Sequence, residues 1–274
     1  MELQVLLAEH FVLPSIPQVI ALLLSEIERA EPDLKKISQL ISTDPALTTR
    51  LLQLANSAQF KLSGQINSVS ESLAILSLTD VRTMVAEAAS AASFKAVPGI
   101  HLQRFWTYSL NVAKVARQLA GEVGQNQQAA FTCGLIHAIG ELAIHICMPQ
   151  KAAELDRQVH PLDLGRAAAE RTAFGYCYAQ VGAGLARKWC FPQAMTEALE
   201  HQYAPFEGDV YEPLAGVIHL ATWRARAMAA ELTQRELAVT FPGAVGEVLG
   251  LDIDTVLDQD PFDWFAPTTG GAPL

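Results

Sequence analysis

The sequence has few cations and no dense basic segment. Its 274 residues include 19 Lys and Arg against 29 Asp and Glu, which gives a formal net charge of −10. Proteins that bind nucleic acid usually present a basic face to the phosphates. The basic groupings in this chain are no more than pairs, at Lys35-Lys36, Arg187-Lys188 and Arg224-Arg226. We therefore expect no nucleic-acid partner.

Cysteine is also scarce, and the four cysteines form no CxxC pair. In a chain of this length they are typical of reduced core thiols. The N-terminal residues lack the basic segment of a secretory signal. The most apolar stretch, 129–148, still contains His137, Glu141 and His145, which argues against a membrane span. The sequence therefore predicts a cytoplasmic protein with no membrane partner.

Common catalytic and nucleotide-binding motifs are missing as well. The sequence contains no GxSxG nucleophile motif, no HExxH zinc motif and no Walker-type phosphate loop. Gly182 and Gly184 lie within a helical pattern that no strand precedes, so close helix packing is the favoured explanation for them. These absences predict that the chain needs no cofactor.

What the sequence does have is hydrophobic residues, half of the chain, repeated with the period of a helix. Asp44-Pro45 combines a capping carboxylate with proline at the first helical position, and so marks the start of a helix. Val97-Pro98-Gly99 is the clearest interruption. We predict an all-α fold with two lobes. The N-terminal helical lobe covers 1–97, a helical core with a C-terminal extension covers 98–265, and a disordered tail covers 266–274.

Five motifs, in order along the chain, carry a family resemblance. They are Leu13-Pro-Ser-Ile-Pro17, Ser42-Thr-Asp-Pro-Ala-Leu47, Leu51-Leu-Gln-Leu-Ala-Asn-Ser57, Gly134-Leu-Ile-His-Ala-Ile-Gly140 and Val181-Gly-Ala-Gly-Leu-Ala-Arg-Lys-Trp189. Together they resemble the HDOD family, whose members are regulatory relatives of the HD phosphohydrolases. The resemblance implies an HD-phosphohydrolase-like helical core and a role in bacterial signal transduction, without implying catalysis.

HD enzymes hold one or two metal ions with a His, an adjacent His-Asp pair and a later Asp. Such ligands position a divalent cation that activates water and binds phosphate oxygens. By the resemblance, the ligand positions are occupied here by Tyr108, His137, Ala138 and Thr222, and the extra positions of two-metal relatives by Tyr178 and His201. Only His137 and His201 are retained as ligands. We therefore expect no bound metal and no metal-dependent catalysis.

Four polar residues are candidates for a ligand-binding or interaction site: Asn56, His137, Glu141 and His201. His137, Glu141 and His145 recur every four residues and would form one stripe on a helix. That stripe is either an unconventional metal trio or a set of buried groups hydrogen-bonded to neighbouring helices. Asn56, late in its helix, either ends the helix through backbone bonds or lies in the cleft between the lobes.

Three classes of function remain open. The first is a non-catalytic signalling module that acts on a protein partner and senses a small molecule or nucleotide in the inter-lobe cleft. The second is a phosphohydrolase with an altered metal site, built from His137, Glu141, His145 and His201. The third is a scaffold without a ligand pocket. The incomplete ligand set favours the first class.

Overall fold

The computed structural model describes residues 1–60, 64–92, 96–207 and 211–258. In these ranges the chain forms α-helices and one 3₁₀ turn at Ala58–Phe60, with no strand, so the all-α prediction is confirmed. The first helices are α1 (Leu3–Ala8), α2 (Pro17–Ile27), α3 (Leu34–Ile41), α4 (Pro45–Ala55), α5 (Val69–Ile75) and α6 (Leu78–Ala92).

The helices after the Pro98 interruption form the larger part of the molecule. They are α7 (Leu102–Glu122), α8 (Gln127–Ile136), α9 (Ile139–Cys147), α10 (Pro149–Asp156), α11 (Arg166–Phe174), α12 (Tyr178–Lys188), α13 (Gln193–His201), α14 (Pro213–Ala229), α15 (Gln234–Thr240), α16 (Gly243–Leu249) and α17 (Ile253–Asp258). The tail expected over 266–274 lies outside the described residues.

The start of α4 follows from a single buried carboxylate. Asp44 accepts hydrogen bonds at Oδ1 from the backbone N–H groups of Ala46 and Leu47, at 2.8 and 2.9 Å. Its Oδ2 accepts a third bond, 2.5 Å long, from the N–H of Ile16. These donors would otherwise lack partners, since the first turn of a helix cannot satisfy them internally. Asp44 therefore begins α4 and also fixes the segment that leads into α2.

Two groups of helices share one hydrophobic core. In the first group, α2 packs against α3 and α6; in the second, α7 packs against α8 and α14, and α12 packs against α9 and α13. Helix α4 crosses to α8, and Leu51 and Leu135 belong to the same buried cluster. Helix α1 lies against α9 and α12, although it comes first in the chain. The lobe boundary near residue 98 stays a prediction.

Glycine permits the close approach of α9 and α12. A Cβ added to Gly140 would overlap the carbonyl oxygen of Tyr178, which lies in the first turn of α12. Gly182 faces Gly140 across this contact, with its added Cβ 3.8 Å from the Gly140 nitrogen. This is the close helix packing expected for Gly182. The contact brings the polar side chains of the two helices into one region.

The segment Gln127–Cys147, which comprises α8 and α9, is long and apolar enough to cross a membrane by composition alone. However, 83% of its most apolar window is buried inside the protein. A helix pair packed on all sides by neighbouring helices must be apolar all round. The hydrophobicity of this segment is therefore explained by its place in the core.

We predict that Asp44→Ala lowers the free energy of unfolding by about 2–4 kcal/mol, because it removes a helix cap and leaves the buried N–H of Ile16 unpaired. Asp33→Ala is the matched control, since Asp33 caps α3 in an exposed setting. That variant should lose about 1 kcal/mol. Urea unfolding at neutral pH measures both values, and equal losses would contradict the anchoring role of Asp44.

Candidate functional site

His137 lies at the end of α8 with both ring nitrogens in use. Its Nδ1 is 2.7 Å from the carbonyl oxygen of Gly134, and its Nε2 is 3.1 Å from the hydroxyl of Tyr108. A carbonyl oxygen can only accept, so Nδ1 carries the proton and Nε2 accepts from Tyr108. The histidine is fully buried. Burial lowers its pKa to about 3, so the ring is neutral at physiological pH.

Arg226 supplies the cation of this region. Its Nε donates to the Tyr108 hydroxyl at 3.0 Å, and its Nη1 donates to the carbonyl oxygen of Asp163 at 2.9 Å. Its guanidinium also lies over the ring of Tyr178, 5.5 Å from the centroid. Arg226 is 5% exposed on the otherwise largely apolar helix α14. A directed chain of hydrogen bonds therefore runs from Arg226 through Tyr108 and His137 to Gly134.

These residues coincide with the ligand positions that the HDOD resemblance assigns. Tyr108 and Tyr178, at two of the lost positions, both contact the Arg226 guanidinium. Thr222, at a third, precedes Arg226 by one turn of α14, and Ala138 is buried at the start of α9. Tyr108, His137 and Tyr178 thus lie together in the fold, and the place they share contains a guanidinium.

This donor set does not fit a divalent cation. Burial raises the pKa of both Tyr108 and Tyr178, so neither phenol is available as a phenolate ligand. The remaining lone pair of His137 already accepts a hydrogen bond from Tyr108. The permanent charge of Arg226 would in addition repel a metal ion. The groups at this position therefore lack the free donor atoms that a divalent cation requires.

His201 does not join His137. It is half-buried at the end of α13, and its neighbour Gln202 is the side chain that reaches the site. Gln202 donates from Nε2 to the carbonyl oxygen of His137 at 3.0 Å. His219 in turn donates from Nδ1 to the carbonyl oxygen of Gln202, 2.7 Å away. These bonds fix the break between α8 and α9 to the end of α13.

The stripe expected for His137, Glu141 and His145 is divided. The chain turns at residues 137 and 138 between α8 and α9, so His137 faces Tyr108 while the other two residues belong to a second cluster. Among the described residues, Glu141, His145 and Asp156 place one ligand atom each within 4.8 Å of one another. The His145 Nε2 lies 3.0 Å from Asp156 Oδ2.

A second buried arginine occupies the centre of this cluster. Arg166 is fully buried, with Nη2 2.8 Å from Glu141 Oε1 and Nη1 2.8 Å from Asp156 Oδ1. Its Nε donates to Glu170 Oε1 at 3.0 Å. Ion pairing offsets part of the cost of burying these charges, although Glu141 Oε1, Asp156 Oδ1 and Arg166 Nη2 have no hydrogen bond of good geometry among the described residues. Here again a guanidinium takes the position that a metal ion would need.

Tyr178 connects the two clusters. Its backbone N–H donates to Glu170 Oε2 at 2.7 Å, while its ring lies beneath the Arg226 guanidinium. Burial, together with repulsion from the Glu141 carboxylate and a hydrogen bond that protonated Glu170 donates to it, holds the pKa of Glu170 well above its ordinary value. Glu170 therefore retains a proton more readily than a free glutamic acid does. The two arginines and their partners form one continuous polar core.

Asn56 is fully buried, and its amide is bound to backbone of its own helix group. Its Nδ2 donates to the carbonyl oxygens of Leu52 and Ile66, at 3.1 and 2.8 Å. Its Oδ1 accepts from the N–H groups of Gln65 and Ile66, at 3.2 and 3.1 Å. Asn56 therefore joins the end of α4 to the segment before α5, which is the helix-ending role considered for it.

The sequence prediction missed both arginines. Arg226 stands in the sequence as half of a basic pair, and only its burial in α14 distinguishes it from a surface residue. Arg166 and Glu170 are spaced as a helical ion pair, which was a usable signal. Their contacts to Glu141 and Asp156 come from other helices and leave no local pattern.

The comparisons with known proteins agree with this fold. A family model described as HDOD domain matches residues 13–205. An uncharacterized protein of Treponema pallidum is similar to the chain, with 23% identity over 228 residues. The match covers 82% of this chain but only 44% of that protein, so the chain spans less than half of the relative's length.

Two solved structures show a similar fold. The MmoQ response regulator from Methylococcus capsulatus aligns with a TM-score of 0.69 and 24% identity, over 90% of this chain and 98% of that chain. A virulence factor from Campylobacter jejuni aligns with a TM-score of 0.71 and 19% identity, over 96% of this chain and 95% of that chain. At these identities the likeness concerns the fold alone.

The buried neutral His137 predicts a pH dependence of stability. As the pH falls below about 6.5, the unfolded chain protonates this histidine, whereas the folded chain does so only near pH 3. Stability should therefore fall with pH across this window. Between pH 7 and pH 5 the loss from His137 alone is about 2 kcal/mol.

Urea unfolding of wild type and His137→Gln at pH 7, 6 and 5 tests this prediction. The variant should lose about 2 kcal/mol less than wild type over the series, because glutamine does not titrate. His10→Gln, at an exposed histidine, is the control and should follow wild type. Parallel curves for wild type and His137→Gln would show that the folded state protonates His137 normally.

Proposed function

Because the chain belongs to the HDOD domain family, we propose that it is a non-catalytic regulatory module that works by binding other molecules. The observation that carries this proposal is the position of Arg226. An HD enzyme needs a metal ion where this chain has a guanidinium between two tyrosines. A site that is already filled, charged and hydrogen-bonded from within favours a structural role for these residues.

A regulatory module must present surfaces or cavities to its partners, and one feature of the structure supports this part of the proposal. A cavity of about 750 Å³ lies where α4 and α6 face α12. MmoQ, which has a similar fold, is described as a response regulator.

A phosphohydrolase with an altered metal site is the second candidate. The observation in its favour is the approach of Glu141, His145 and Asp156, whose ligand atoms lie within metal-binding range of one another. Against it, Arg166 already neutralises Glu141 and Asp156 at 2.8 Å. A metal could enter only by displacing this buried arginine, and His137 and His201 lie outside the trio.

Metal analysis separates the two candidates. Untagged protein is equilibrated in turn with Mn²⁺, Fe²⁺, Zn²⁺ or Mg²⁺, freed of unbound ions, and measured by elemental mass spectrometry. We expect less than about 0.1 metal ion per chain, because two phenols, a hydrogen-bonded imidazole and an arginine do not form a divalent site. The same samples should not hydrolyse bis(nitrophenyl) phosphate.

The matched control restores the missing ligands. A variant with Tyr108→His, Ala138→Asp, Thr222→Asp and Arg226→Ala removes the guanidinium and supplies imidazole and carboxylate at the lost positions. If it folds, by circular dichroism, we expect it to retain more metal than wild type. A wild-type chain that holds one or two metal ions tightly, and loses diesterase activity on His137→Ala, would overturn the proposal.

A further inference from the structure

The cavity between the helix groups contains polar groups without partners. It is lined by the segment 9–13, one face of α4, one face of α6 and the C-terminal end of α12. Arg50 and Gln53 lie on one face of α4, and Ser57 follows just after the end of the helix. Among the described residues, the Ser57 hydroxyl oxygen is buried with no hydrogen-bond partner.

Arg50 is the second under-satisfied group in the cavity. It is half-buried, yet its guanidinium makes one long hydrogen bond, 3.4 Å from Nη2 to the carbonyl oxygen of Leu13. Within the described part of the chain it forms no ion pair within 4.0 Å; Asp44 and Glu87 attract it only from farther away. A guanidinium carries five donors, so most of its capacity is unused. It is placed to bind an oxyanion.

The opposite wall contributes a second cation and an apolar surface. Lys188 of α12 donates to the carbonyl oxygen of Leu7 at 2.9 Å and likewise forms no ion pair within 4.0 Å among the described residues. Trp189 lies beside it, and Leu54 and Met84 line the cavity from α4 and α6. These apolar side chains can cover the apolar body of a ligand while Arg50 and Lys188 pair with its anionic group.

Acidic side chains limit how much negative charge the cavity accepts. Glu9 and Glu87 are exposed at its lining, and Asp80 lies there with its carboxylate bound to the Ser77 hydroxyl and N–H. A ligand with several negative charges would meet repulsion from these three carboxylates. A ligand with one negative charge can pair with Arg50 and meets less repulsion from these carboxylates than a polyphosphate does. The lining thus favours monoanions over polyphosphates.

We propose that this cavity binds a small organic anion of single charge, with the anionic group at Arg50 and an aromatic or aliphatic body against Leu54, Met84 and Trp189. The ligand would contact helices of both groups, because Arg50 belongs to α4 and Trp189 follows α12. It would thereby stabilise one arrangement of α4 and α6 relative to α12. This inference rests on the regulatory role proposed above and names the class of ligand that the module would bind in that role.

A pair of fluorescent probes tests the charge requirement. Anilinonaphthalene sulfonate has an aromatic body and one negative charge, and N-phenylnaphthylamine has a similar body without charge. We expect the sulfonate to bind with saturation near one site per chain. Arg50→Met should weaken it by at least about tenfold, the effect of losing a charge-assisted hydrogen bond. The dissociation constant of the neutral probe should change less than about twofold on this substitution. ATP should not displace the sulfonate from the wild-type protein.

Control variants separate charge effects from loss of structure. Arg235→Gln removes a positive charge from α15, away from the cavity, and should bind both probes as wild type does. Leu54→Trp fills the cavity and should abolish binding of both probes. If circular dichroism shows that Arg50→Met does not fold, Lys188→Met takes its place as the test variant, since Lys188 is exposed. This variant should bind the sulfonate more weakly and the neutral probe as wild type does.

The outcomes for this inference and for the proposed function are independent. Equal effects of Arg50→Met on both probes, or saturable binding that survives Leu54→Trp, would overturn the anion site. Failure of the sulfonate to bind wild type would do the same. If either occurs while the metal content stays low, the non-catalytic role still holds. If metal is retained, that role fails whatever the probes show.

Discussion

The positive charge of Arg226 in a helical core is the constraint on which the centre of this protein depends. A buried guanidinium is strongly destabilising unless its donors are satisfied. The Tyr108 hydroxyl and the carbonyl oxygen of Asp163 accept from its Nε and Nη1, and the ring of Tyr178 faces its charge. His137 is neutral in the same arrangement, because its Nε2 must accept the hydrogen bond that the Tyr108 hydroxyl donates. The chain thus holds its central helices together with an internal cation.

The two arginines also fix the connection between α10 and α11. Arg226 binds the carbonyl oxygen of Asp163, and Arg166 binds that of Val159 at 2.8 Å. This irregular segment therefore crosses the polar core at two fixed points. Three of the positions that the resemblance assigns to metal ligands lie beside Arg226, at Tyr108, His137 and Tyr178, and their side chains are hydrogen-bonded to one another or packed against the guanidinium. A shared fold does not by itself determine the chemistry at its centre.

Much of the fold could be predicted from the sequence because its signals are local. The Asp44-Pro45 start of α4 and the apolar periodicities depend on residues a few positions apart, and the structure contains those elements. The division of the stripe at His137 could not be read this way, since the turn depends on Gln202 and on the contact of Gly140 with α12. The roles of Arg226 and Arg166 depend on partners from distant helices, which no spacing rule connects.

The single cluster that includes Leu51 and Leu135 has a consequence for cooperativity. Helices on either side of the Pro98 interruption bury apolar faces against one another in this cluster, while a second, smaller cluster lies mainly among α9, α10 and α12. Separation of the chain near residue 98 would expose that shared surface to water. The two groups should therefore melt together in one transition.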